Sequence, residues 1–200
     1  MDFTLILLTL FIVWQVLRVR YQRAHIALLG QQLAQFQLEK HMETLTSGYT
    51  RAIQDSSESR QLQIFDTLHQ TEYAVAAQLQ GLAKALDKLD PKITQFGVWP
   101  ICVPFVERVL PSAARDFRQL VALHAAGIKR LVDNDDQLEI KPRAFHLSAE
   151  LYLFQHSCHW FCKSKTVADA RLLVRHQVDY KKVLASVSEQ TRRQYEQWLH

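Results

Sequence analysis

The hydrophobic pattern is most pronounced at the start of the chain, where an uncharged apolar run of fifteen residues extends from Phe3 to Leu17. As a helix this run covers about 22 Å, which is short for a bilayer core. Extending the segment to Tyr21 brings it close to the usual length of about 20 residues, because long side chains at its end can reach the headgroups. The pattern therefore predicts a single transmembrane helix within residues 1–21, with Trp14 and Tyr21 at the membrane interface.

Two other interpretations of this run are disfavoured. A cleaved signal peptide carries basic residues before its apolar stretch, whereas Asp2 precedes this one and arginines follow it. An amphipathic helix lying on the membrane needs a polar face, which residues 3–17 lack. Arg18, Arg20 and Arg23 set the orientation, since basic residues beside a span remain in the cytoplasm. We expect a single-pass protein of a cell inner membrane, with its N-terminus outside and its C-terminal domain in the cytoplasm.

The apolar spacing continues beyond the predicted anchor, and the first proline is Pro91. We therefore expect the first helix to extend into a juxtamembrane helical stalk over residues 22–56. Two apolar seams follow one another here and are displaced by two residues, which disfavours one continuous two-stranded coiled coil. The first seam contains Leu29, Leu33 and Phe36, and the second contains Leu38, Met42, Leu45, Tyr49 and Ala52.

Residues 57–200 are expected to form a cytoplasmic α-helical domain, a bundle of about five helices. The chain has only five glycines and five prolines, which favours an all-α fold over the closely spaced turns of a β protein. The polar stretch Asp133–Pro142 predicts a surface loop. A capping-box spacing at Thr166 and Asp169 predicts a helix beginning there. Its inner side is expected to carry Ala170, Leu173, Val174 and Val178. The other expected helices are 57–89, 111–132, 144–163 and one from about Ser186 to Leu199.

The stretch Phe96–Val106 is apolar but contains Pro100 and Pro104, which are incompatible with a regular helix. We interpret it as a buried corner of the core. The alternative is a loop that contacts a partner or the bilayer. The candidate contact residues are Trp99, Pro100, Ile101, Val103, Pro104 and Phe105.

Potential metal ligands crowd together only at His156, Cys158, His159 and Cys162. On a helix both thiols fall within an apolar stripe, where free cysteine behaves as a small core side chain, while the two histidines fall beside the stripe. No second Cys or His pair at zinc-finger spacing occurs. We therefore predict structural packing and no cofactor, with metal, haem or redox use as the alternative.

The net charge of +4 and the three cysteines restrict the class of function only loosely. An odd cysteine count without a disulfide-framework spacing favours a reducing compartment. Basic residues cluster in two regions without interleaved aromatic residues, so nucleic acid is disfavoured as a partner. The chain contains no GxGxxG, Walker lysine, HExxH or calcium-loop motif.

The sequence thus gives no positive support for catalysis. We predict a membrane-anchored helical adaptor or scaffold, an accessory subunit of a bacterial inner-membrane assembly, that contacts the lipid bilayer and a protein partner through helical surfaces. A metal- or haem-binding protein and a membrane-tethered nucleic-acid binder are the two alternatives. The pattern leaves the oligomeric state open.

Overall fold

A computed structural model describes residues 3–200, so Asp2 of the orientation argument lies outside the described residues. The all-α prediction is confirmed, since the structure is 80% helical. The longer helices are α1 (Phe3–Leu33), α2 (Leu38–Gln54), α3 (Glu58–Asp87), α6 (Phe117–Asp133), α7 (Ile140–Cys162), α8 (Lys165–His176), α9 (Tyr180–Ser186) and α10 (Glu189–Leu199). The shorter elements are α4 (Pro91–Thr94), β1 (Gln95–Gly97), α5 (Val106–Val109), a 3-10 turn (Pro111–Ala113) and β2 (Ala114–Asp116).

Helix α1 has two halves with different surroundings. Its apolar half is exposed. Within residues 3–200, α1 is the one helix long and apolar enough to cross a membrane, and the mean hydropathy of its most apolar window is 1.7. Its second half buries Tyr21, Gln22, His25 and Leu29 against the rest of the chain. The helix therefore continues past the predicted span and joins the folded domain directly.

Helices α2 and α3 form a hairpin closed by Asp55, whose carboxylate accepts a 2.8 Å hydrogen bond from the Ser57 amide. The second apolar seam of the sequence packs inside this molecule, with Leu45, Tyr49 and Ala52 fully buried. Gly48 permits the close approach of the two helices, because a Cβ there would lie 2.7 Å from a methyl carbon of Leu68. Residues 22–54 therefore pack against the domain.

A two-stranded antiparallel ribbon, which the sequence did not predict, links the helices at one end of the domain. Gln95 pairs with Asp116 and Gly97 with Ala114. Each strand has three residues, too few for an alternating pattern to be recognised. The ribbon buries Phe96 against the rings of Phe117, Trp160, Phe161 and Trp198.

Helix α7 is the central element, and it contacts α1, α2, α6, α8 and α9. It begins at Ile140, four residues earlier than predicted, because Pro142 lies in the first turn where its missing N–H breaks no intrahelical hydrogen bond. The polar loop before it is shorter than expected. Asn134 ends α6 in the left-handed conformation, and its side chain bonds both backbone groups of Leu138.

The predicted inner face of α8 was wrong. Leu173 is 55% exposed and Val174 is 83% exposed, whereas Ala168 and Leu172 are buried. The helix begins at Lys165 with Ser164 as its N-cap. Apolar residues occur on several sides of this short helix, so their spacing alone did not determine which side would pack on α7.

Candidate functional site

A groove of about 680 Å³ separates the end of α1 and helix α2 from α7 and the end of α8. Its walls combine aliphatic and aromatic side chains with polar ones, among them Thr46, Ser47 and Thr50 of α2. The α1–α2 side contributes Ile26, Leu29, Leu33, Phe36, Leu38 and Met42, and the α7 side contributes Tyr152, Phe154, Cys158 and Cys162. A concave apolar surface of this size is typical of binding sites for small molecules or peptide segments.

The groove lies beside the segment where the chain turns from α1 into α2. The linker after α1 holds Phe36 close to α3, since a Cβ at Gly81 would lie 2.8 Å from its ring. The Gln37 amide donates a 2.8 Å hydrogen bond to the Gln78 side chain. Gly30 lines the groove, and no atom lies within 4 Å of the position that a Cβ would take there. The chain therefore leaves unfilled space between two well-fixed walls.

The two rims of the groove carry opposite charges. Glu39 and Glu43 lie on α2, one turn apart, and Arg175 lies at the end of α8, beside His176, whose pKa is lowered by burial. His176 bonds the side chain of Gln155 at 2.7 Å and packs on the ring of Tyr152. A bound molecule would meet an apolar floor between an acidic rim and a basic rim.

His159 is a neutral hydrogen-bond acceptor in this groove. Burial, assisted by the charge of Arg171, lowers the pKa of His159 to about 4. The Arg171 guanidinium lies 2.9 Å from Nδ1 of His159, and an arginine can only donate. Nδ1 therefore accepts, and the ring proton resides on Nε2.

The sequence cluster of histidines and cysteines is divided in the fold. Cys158, His159 and Cys162 line the groove, while His156 lies on another side of α7 and is 1% exposed. There its Nε2 bonds Asp169 at 2.7 Å, and its ring stacks on Tyr180. The sequence places His156 beside the apolar stripe of α7, and on that side it contacts the neighbouring helices α8 and α9.

The two groove cysteines are free thiols that are only partly buried, rather than members of the centre of the core. Burial raises the pKa of Cys162 to about 11 and that of Cys158 well above its ordinary value. Both are therefore thiols at neutral pH, whereas metal binding and nucleophilic attack need the thiolate. Within residues 3–200, no three His, Cys, Asp or Glu side chains are grouped so that they could hold a metal ion.

One buried pair, His124 and Ser157, resembles part of a hydrolytic site only in composition. The Ser157 hydroxyl donates to the Leu153 carbonyl at 2.9 Å, so it accepts the 2.9 Å bond from Nε2 of His124. The histidine is then the donor and cannot act as the base that activates a serine. Both side chains are completely buried. This pair therefore packs α6 against α7.

Two buried acids also hold helices together. Glu72 accepts a 2.5 Å hydrogen bond from Tyr49 and a 2.7 Å bond from Arg143, so it connects α2, α3 and α7. Glu150 accepts a 3.1 Å bond from Ser188 at its Oε1, and its buried Oε2 has no hydrogen-bond partner. Burial raises the pKa of Glu150 to about 7. Neither acid lines the groove.

The proline-containing loop lies against the start of the docked half of α1. The Tyr21 hydroxyl donates a 3.0 Å hydrogen bond to Glu107, and its ring packs on Phe105. Of the candidate contact residues, Val103, Pro104 and Phe105 are half-buried. The outer ones, Trp99, Pro100 and Ile101, are exposed.

Sequence reasoning did not identify Val109 and Leu110, which are 84% and 42% exposed. It also did not identify the groove, whose two walls come from segments more than a hundred residues apart. Near the groove, Gly30 is the one sequence feature that could have indicated unfilled space, because glycine has no side chain. Comparison of the chain with protein-family models, curated proteins and solved structures finds no match.

Proposed function

We propose that the protein is a membrane-anchored helical adaptor that holds an apolar helical segment of a partner protein in the groove between α1–α2 and α7–α8. The observation that carries this proposal is that the anchor helix itself continues into one wall of the groove. The groove is thus fixed relative to the anchor. A bound partner would be held at a set distance from the bilayer.

The joint between the anchor and the domain is rigid enough for this role. His25 is buried, its Nδ1 lies 3.0 Å from the Phe161 carbonyl, and its ring stacks on that of Phe161 at 4.4 Å. Gln22 donates a 3.2 Å hydrogen bond to the carbonyl of Lys163. These contacts tie α1 to the end of α7 within two turns of the apolar run.

The proposed location is a bacterial inner membrane, with the N-terminus outside and the domain in the cytoplasm. Its support is the distribution of charge, because Arg18, Arg20 and Arg23 directly follow the apolar run. Basic residues near a span remain on the cytoplasmic side. The free thiols agree with a reducing compartment.

The chemistry of the groove favours an amphipathic helix as the partner segment. An apolar floor can take the side chains of one helix face, spaced at three and four residues. The rims offer Glu39 and Glu43 to basic residues of that helix, and Arg175 to an acidic one. Charges on both rims would then set the direction in which the partner helix lies.

A groove-filling variant tests the proposal. Gly30→Trp should place an indole ring beside the groove, since a Cβ at this position meets nothing within 4 Å. Ala27→Trp places the same side chain on an exposed part of the same helix outside the groove and serves as the matched control. A photocrosslinker at Met42 in the groove, and one at the exposed Ile53 of the same helix, would report the occupant in cells.

The expected result is a discrete protein crosslinked from Met42 but not from Ile53. This crosslink should be lost in Gly30→Trp and kept in Ala27→Trp. A crosslinked lipid or small molecule, with no protein, would show that the groove binds an amphiphile and would overturn the adaptor proposal. An identical pattern from both positions would show contact without use of the groove and would also contradict it.

The metal- or haem-binding alternative has one observation in its favour, the shared position of Cys158, His159 and Cys162 in the groove. The raised pKa of both thiols counts against it. A stoichiometric metal or haem in the purified full chain, lost on Cys158→Ala and Cys162→Ala, would favour this alternative. The adaptor proposal predicts that these variants keep the Met42 crosslink.

A further inference from the structure

We propose that residues 98–110, here called the interface loop, lie in the headgroup layer of the bilayer that α1 crosses, with Trp99, Ile101, Val109 and Leu110 as apolar contacts. This inference rests on the proposed anchoring by α1. It adds a second membrane contact from a distant part of the sequence.

The loop is attached to α1 close to the end of the apolar run. Tyr21 follows the last residue of the apolar run, Leu17, by one helical turn, or about 6 Å. Phe105 packs on the ring of Tyr21 at 5.2 Å, and Glu107 accepts the hydrogen bond from its hydroxyl. This side of the loop therefore lies directly beneath the apolar run.

The other side of the loop lies at the same height. The Pro100 carbonyl accepts hydrogen bonds from the amide and the hydroxyl of Thr166, at 3.0 and 2.8 Å. Thr166 follows the turn between α7 and α8, where the Lys163 carbonyl accepts its hydrogen bond from Gln22. Pro100 on one side of the loop, and Phe105 and Glu107 on the other, are thus attached at the level of Tyr21 and Gln22.

The loop exposes several large apolar side chains. Trp99 is 40% exposed, Ile101 60% and Val109 84%. Water is an unfavourable environment for these side chains, whereas tryptophan is enriched at the membrane interface. Two backbone hydrogen bonds hold the loop in this shape. The Val98 amide donates to the Ala113 carbonyl, and the Leu110 amide donates to the Val106 carbonyl.

Basic side chains lie near the loop. Arg18, Arg20 and Arg23 on α1 are joined at this end by Arg108, which stacks on the Phe105 ring at 4.7 Å, and by Lys163. The acidic residue here, Glu107, is bonded to Tyr21. A basic collar around exposed apolar side chains suits anionic headgroups. If the loop bound a protein instead, nothing would require these basic side chains to lie at the level of the end of the anchor.

The test measures depth in the full chain reconstituted in vesicles that contain anionic lipid. A single cysteine carrying an environment-sensitive fluorophore is placed at Ile101 or at Ile53, both 60% exposed, after Cys→Ala replacement of the native cysteines. Lipids with a quencher near the headgroup should quench the probe at position 101 severalfold more than at position 53. Circular dichroism checks that the cysteine-free protein is folded.

A second measurement keeps all native cysteines. In the unaltered protein, brominated lipids should quench part of the tryptophan fluorescence, and Trp99→Phe should remove that quenched part.

Flotation of the protein with the vesicles tests the anchor separately. Protein that floats while position 101 behaves like position 53 overturns the interface loop and leaves the anchor intact. Protein that fails to float overturns the anchor, and the loop proposal with it. A probe at 101 shielded from water but not quenched by lipid would indicate a protein contact and would also overturn it.

Discussion

The apolar half of α1 and the interior of the domain reverse the usual distribution of side chains. Apart from the half-buried Trp14, the large apolar side chains from Phe3 to Val19 are 41–73% exposed. Inside the domain, Glu72 and Glu150 are at most 1% exposed, and Arg143 is 8% exposed. One region places apolar groups outside, and the other places charged groups inside.

The difference shows which environment each region requires. Buried polar groups are tolerated where hydrogen bonds replace those to water, as around Glu72. An exposed run of large apolar side chains has no corresponding compensation from this chain. It needs a surrounding that is itself apolar, which a bilayer supplies. The comparison can be tested from either side, by removing the apolar run or by removing a hydrogen-bond partner.

The largest effect is expected from deleting residues 3–17. The protein should then move from the membrane fraction almost entirely to the soluble fraction, because α1 is the candidate span among residues 3–200. Fractionation followed by carbonate extraction measures this change. Persistent carbonate-resistant association would contradict the assignment of α1 as the sole anchor and would implicate the interface loop.

Within the domain, Glu72→Ala should be strongly destabilising, by about 3–5 kcal/mol, because it leaves Arg143 buried without its partner. Chemical denaturation of the detergent-solubilised full chain measures the free energy of unfolding. The double variant Glu72→Leu with Arg143→Met is the matched control, since it removes both charges. It should lose far less stability, and an equal loss in both proteins would show that packing rather than charge is decisive.

The environment of Glu150 predicts a pH effect with a definite sign. Because its folded-state pKa is about 7 rather than 4.5, the folded protein binds the proton more tightly than the unfolded chain. Its contribution to stability therefore falls as the pH rises from 4.5 to about 7 and is constant above that. As the pH rises over this window, the free energy of unfolding of Glu150→Gln should increase by on the order of 3 kcal/mol relative to that of the unaltered protein.

Denaturation curves of both proteins at several pH values check this prediction. The buried histidines, such as His124, contribute an opposite slope, since burial lowers the pKa of His124 to about 3. That contribution is present in both proteins and cancels in the difference. A difference that does not change with pH would show that folding does not raise the pKa of Glu150.

The sequence was informative where a pattern is long and one-sided. The apolar run of α1 and the seam of α2 were recognised, and the proline pair marked an irregular loop. It failed where the neighbours come from distant segments. The inner face of α8 depends on which helices surround α7, and the groove depends on how segments far apart in the chain are placed relative to one another. Periodicity along one helix contains no information on these distances.

The smallest predicted effect concerns Gly30. Replacing glycine by alanine inside a helix favours folding by up to about 1 kcal/mol, because glycine has more conformational freedom to lose. At Gly30 a new Cβ meets no atom within 4 Å, so Gly30→Ala should be stabilising by about 0.5–1 kcal/mol.

Gly48→Ala is the matched control, since it makes the same chemical change inside another helix. There the new Cβ would lie 2.7 and 2.8 Å from the two methyl carbons of Leu68, which is held between α2 and α3. The clash should outweigh the gain in propensity and make this variant destabilising. Opposite signs in the two unfolding experiments would show that the groove beside Gly30 is unfilled space. A destabilising Gly30→Ala would show instead that another group already occupies that position.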